Sequence, residues 1–131
     1  MIPDLQSSLL CDDVRQEKNG KFILIGLFDA IGVRSFPAVF SRICMVNRWC
    51  CGEGTFKQHT RILKPDSSSL LVKGGDVPLR LQDAEATATT VEFFLNVSFE
   101  TQGTYWVEIL LNGDLKIRYP MKANIVQKKN N

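Results

Sequence analysis

Several things are scarce in this chain, and each scarcity removes a class of function. No apolar run in the 131 residues approaches the roughly 18 positions that a bilayer-crossing helix needs, so no membrane partner is expected. Neither charge is in excess. Sixteen Lys and Arg against fourteen Asp and Glu leave +2, too little for the basic face that nucleic acid requires. The one basic cluster, Lys128-Lys129, lies in a stretch, 126–131, that reads as a frayed tail. The first six residues carry no basic region ahead of an apolar stretch, so no secretory signal is read there. A cytoplasmic location is therefore expected, with Cys11, Cys44, Cys50 and Cys51 as reduced thiols.

Histidine occurs once. Nucleophilic catalysis needs a nucleophile, a base and an orienting group together. His59 has only Lys57 and Arg61 on its own strand face, which reads as an outward, solvated surface. No catalytic residue is assigned. Cys44, Cys50, Cys51 and His59 would be soft ligands, but C-x5-C-C-x7-H matches no zinc knuckle. Gly74-Gly75 and Gly52-Glu53-Gly54 open no helix, so neither reads as a phosphate cradle. No cofactor is expected.

Helical periodicity is nearly absent too. In its place are short β-type runs split by Gly, Asn, Pro and Asp. Val91 to Phe99, Tyr105 to Leu111 and Leu115 to Ile125 each alternate apolar and polar residues, the pattern of a half-buried antiparallel strand. A Thr101-Gln102-Gly103 loop would pair Phe99 with Tyr105, Val97 with Val107 and Leu95 with Ile109. Counting Asp114 as a loop or bulge residue after Asn112-Gly113 pairs Ile109 with Ile117 and Val107 with Tyr119. Nearer the start, Asn19-Gly20 turns a hairpin between Leu9–Arg15 and Lys21–Asp29. Phe22 to Phe28 is apolar except at Gly26, the mark of a strand covered on both faces or central in a sheet. Further strands are expected at Val39–Trp49, Thr55–Leu63 and Leu70–Lys73. About eight strands without helices must pack sheet on sheet, so residues 1–131 are expected to form one all-β domain, an antiparallel β-sandwich.

Two constellations remain. The expected first hairpin makes Asp12 and Asp29 diagonal neighbours on one face, with Asp13 and Arg15 on the other. Three carboxylates could offer oxygen ligands to a small ligand or a divalent cation; equally, Asp13 pairs Arg15 while Asp12 and Asp29 cap strand ends. The second constellation lies on the expected outer face. There Phe94 opposes Leu110, Ser98 opposes Trp106, and Glu108 opposes Arg118. Aromatic residues around a cross-strand ion pair often make a protein-contact surface. Phe94, Trp106, Leu110, Glu108 and Arg118 are therefore the candidate partner-binding residues, for another protein or for self-association.

Cys11-Asp12-Asp13-Val14-Arg15, then Asn19-Gly20-Lys21, Ile25-Gly26-Leu27-Phe28-Asp29 and Phe36-Pro37, resemble a domain-of-unknown-function family of small, stand-alone bacterial proteins. Gly103-Thr104-Tyr105 and Leu115 to Ala123 are similar as well. The resemblance implies a bacterial source and an immunoglobulin-like sandwich, and it implies no activity. Cys44, Cys50 and Cys51 stand outside the family's pattern.

Overall fold

The structure is a computed structural model in which residues 1–127 are described; residues 128–131 of the expected tail, with Lys128-Lys129, lie outside them. Ten strands form, and no helix among the described residues. β1 (Asp4–Gln16), β2 (Phe22–Phe28), β4 (Ala38–Cys50) and β8 (Thr87–Phe99) make a four-stranded sheet in the order β2-β1-β4-β8. β3 (Ala30–Val33), β10 (Asp114–Ile125), β9 (Gly103–Leu111), β5 (Gly54–Leu63) and β6 (Leu70–Lys73) make the other, in that order, and β7 (Val77–Leu81) also pairs with β5. The chain exceeds the expected eight strands by the short β3 and by β7. The latter carries Pro78, which a strand tolerates at a sheet edge. One pairing, β3 with β10, is parallel, so the sheets are not purely antiparallel. It continues past β10, where the Val126 N–H donates to the Val33 carbonyl.

One core lies between the sheets. Ile43, Met45, Trp49, Phe94 and Phe99 from the four-stranded sheet meet Ile62, Tyr105, Val107, Ile109 and Met121 from the other. Burying large apolar side chains at roughly 1.5–3 kcal/mol each is what joins the sheets.

The expected hairpin between β8 and β9 does not form. After Phe99 the chain crosses from one sheet to the other. β8 pairs with β4, and β9 with β5 and β10. Phe99 and Tyr105 still meet, but across the core, edge to face with ring centroids 4.9 Å apart. The face assignment of β8 changes with it. Phe94, Val97 and Phe99 point inward, while Phe93 and Leu95 are half-exposed or more. The inward set breaks the period of two at Asn96, which takes a left-handed φ of 52°.

β10 follows its expected register. Ile109 pairs Ile117, Val107 pairs Tyr119 and Glu108 pairs Arg118. The bulge that permits this falls between Leu115 and Ile117, not at Asp114. Asn112 and Gly113, both with positive φ, make a two-residue turn.

Candidate contact surfaces

The first hairpin is shifted by one residue from expectation. The Glu17 N–H donates to the Lys21 carbonyl, so the loop is Lys18-Asn19-Gly20, with Gly20 left-handed. Asp12 therefore stands opposite Gly26, between the Cys11–Leu27 and Asp13–Ile25 pairs. Gly26 has a φ of 69°, and any Cβ there would collide with the Asp12 carboxylate. The hairpin bends at this point. β1 is paired with β4 only as far as Cys11–Cys44. A straight strand would put Asn19 about 40 Å from Ser7. Instead both line one cleft of about 640 Å³, together with Leu9, Val46 and Arg48.

The distal hairpin is thus a flap folded over the outer face of its own sheet. Val14 and Leu24 pack from it onto Cys11, Cys44 and Val46, a small second core. This corrects the reading of Phe22–Phe28: β2 is an edge strand, and it is apolar on both sides because half of it rests on the sheet face. Burial pushes the Cys44 thiol up to about 11, and the Cys11 thiol is raised for the same cause.

Beside the flap runs a shallower cleft of about 440 Å³, lined by Asp13, Val14, Arg15, Arg42, Phe93 and Leu95. Asp13 accepts from Arg42 at 2.9 Å and from Arg15 at 3.2 Å. The Arg15 hydrogen bond and the Val14 N–H hold its carboxyl below the ordinary carboxylate range, with Arg42 adding to the effect. The Arg42 guanidinium lies 5.5 Å from the Phe93 ring centroid. Phe93, Leu95 and Leu27 remain half-exposed or more on this face, and Ile23 and Ile25 are open on the flap.

The acidic trio does not converge. Asp12 serves the bend at Gly26, Asp13 is engaged by two arginines, and Asp29 is exposed between β2 and β3. Among the described residues no three His, Cys, Asp or Glu side chains are grouped to hold a metal ion.

On the outer face of the six-stranded sheet, Arg61, Glu108 and Arg118 form one row across β5, β9 and β10. Glu108 is buried and accepts from Arg61 Nε at 2.6 Å; Arg118 Nε is 4.0 Å from its other oxygen. The Arg118 guanidinium stacks 4.6 Å from the Trp106 ring centroid. Leu110 lies alongside, opposite Leu115. Trp106, Glu108, Leu110 and Arg118 are therefore together, whereas Phe94 is not. It is buried in the core, opposite Ile43 on β4, because β8 belongs to the other sheet.

A polar cluster between the sheets went unread in the sequence. Glu92 accepts from Thr60 Oγ1 at 2.6 Å and from Gln58 Nε2 at 3.1 Å. Gln58 in turn accepts from Trp49 Nε1 and Thr90 Oγ1. Burial pushes the Glu92 carboxyl up, against the pull of these donors. The signal was the parity of Glu92 with Phe94, visible only once Phe94 is placed inside. His59 sits nearby with Nδ1 3.0 Å from Asp76.

The chain belongs to a family of unknown function (DUF6941). The family's model matches residues 6–124, which takes in all ten strands save the first two residues of β1 and the last of β10. No curated protein matches the chain. No helix among the described residues is long and apolar enough to cross a membrane.

Proposed function

We propose that the protein is a non-catalytic binding module acting through protein–protein contacts, carried by the outer face of the four-stranded sheet and its β2 edge. One observation supports this above the rest. Leu27, Phe93 and Leu95 are 50–63% exposed on that face, and Ile23 and Ile25 stand open on the adjoining flap. Large apolar groups left open to water on a sheet face mark interaction sites. Arg42 and Arg15 at the rim add the guanidinium groups that such sites favour.

The test is affinity capture from a lysate of the source organism, with wild type, Phe93→Glu and Trp106→Glu side by side. A stoichiometric partner lost with Phe93→Glu and kept with Trp106→Glu is the expected result. A partner lost only with Trp106→Glu would move the contact to the other face. That second reading rests on Trp106, Leu110, Glu108 and Arg118 standing together, with the exposed Leu115 beside them.

The finer fold belongs to the same proposal. β1-β4-β8 and β5-β9-β10 follow the A-B-E and C-F-G order of immunoglobulin domains. The Tyr105 hydroxyl donates to the Thr101 carbonyl at 2.7 Å, as a tyrosine corner does at the start of strand F. The four free cysteines accord with a reducing cytoplasm, and the resemblance of the opening segment supports a bacterial source.

A further inference from the structure

We infer that β2 is a self-pairing edge, and that its occupant is the β2 strand of a second copy of this chain, antiparallel about a twofold axis at Ile25. This rests on the reading of that sheet as a contact surface, and it names the partner.

The edges of the two sheets differ in how they are protected. β3 and β6 are four residues long, and β7 is five and carries a proline. β8 is flanked by the β6–β7 loop, where Gly74 packs against Glu92. β2 pairs with β1 alone and has no charge, proline or second cover between Phe22 and Phe28. An unprotected apolar edge offers its outward N–H and C=O groups to another strand.

The sequence of β2 is complementary to itself. Antiparallel pairing about Ile25 sets Ile23 against Leu27 and Phe22 against Phe28. It also sets Lys21 against Asp29 at both ends. Both charged residues are exposed, as are Ile23, Ile25 and Leu27. A shift of one residue would break both ion pairs and the aromatic match together, so the charges select the register. The two Gly26 bends lie one step either side of the axis, where twofold symmetry keeps them in step. The product joins the two flaps edge to edge, each β2 still paired with its own β1, a β-augmented dimer.

The test is sedimentation equilibrium of the full chain, whose mass is 14.8 kDa. Wild type is expected at twice that mass at micromolar concentrations. Ile25→Lys, which sets two cations at the axis, is expected to be monomeric with an unchanged circular-dichroism spectrum. Lys21→Glu and Asp29→Lys each reverse two cross-strand pairs and should weaken the dimer about tenfold. A one-to-one mixture of those two variants should dimerise again, because every end pair is then opposite in sign.

A monomeric wild type overturns the self-pairing but leaves the sheet face open to another protein. A dimer that survives Ile25→Lys and is lost with Phe93→Glu overturns the edge but keeps the face. A dimer lost only with Trp106→Glu overturns both.

Discussion

The two outer faces of this molecule solve the same problem differently. Each is a sheet surface turned to solvent, and each carries an aromatic ring beside an arginine. On the six-stranded sheet the groups close on one another. Glu108 is held by Arg61, and Arg118 lies over Trp106. On the four-stranded sheet they close more loosely, with Arg42 5.5 Å from the Phe93 ring centroid. Asp13 engages Arg42 and Arg15, yet Phe93 and Leu95 stay open beside them, and the sheet covers its remaining apolar area with its own hairpin. Charge alternation alone thus does not tell a finished surface from a waiting one. What differs is how tightly the arginine closes on the ring, 4.6 Å at Trp106 against 5.5 Å at Phe93.

The largest effect is expected at the bend. Gly26→Val forces a side chain into a left-handed conformation and against Asp12, and should cost about 3 kcal/mol. With the flap lifted, Cys11 and Cys44 should react with a thiol reagent far faster than in wild type; denaturant melts and labelling kinetics report both. Next in size is Arg61→Met. It leaves the buried Glu108 with only the more distant Arg118, a loss of about 2 kcal/mol by denaturant melts. Arg42→Met on the open face should cost less, since Asp13 keeps Arg15 and stands in water.

Glu92 sharpens the contrast from inside. Glu108 is met by arginines, whereas Glu92 accepts from the neutral donors Thr60 and Gln58, and burial raises it. A raised folded-state carboxyl contributes stability that is complete below its unfolded value, 4.5. That contribution is lost as pH rises through the folded value. Glu92→Gln should flatten this part of the stability–pH curve. Asp13 runs the other way. Its lowered carboxyl stabilises above the ordinary 3.8, and that support fades as pH falls through the folded value. The smallest effect is expected from Phe93→Glu, within about 0.5 kcal/mol by thermal melting, because the ring is already half in water.

Local chemistry made part of this legible in the sequence. The apolar row of β10 set its register, against the plain two-residue register of Asn112-Gly113, and the Glu108–Arg118 pair followed from it. The β8–β9 crossing was hidden, because alternation followed by a glycine suits a hairpin and a sheet-to-sheet crossing equally well. In both, Phe99 meets Tyr105. Phe94 was misplaced because Asn96 reverses the alternation through its backbone angle, which no side-chain pattern records. The flap was hidden behind one residue. Counting Lys18 into the loop brings Asp12 opposite Gly26 and makes a candidate ligand the neighbour of the bend.

The flap also fixes an order of assembly. Its hairpin is a local contact and can form early, since loops of a few residues close quickly. The surface it rests on is not local. Cys44 and Val46 lie on β4, and Val91 joins them from β8 only after those strands have paired across some fifty residues. The hairpin is therefore made among the first elements and seated among the last. In hydrogen exchange, the amides between β1 and β2 beyond Gly26 should open as a unit of their own, at a lower free energy than the β4–β8 ladder beneath them.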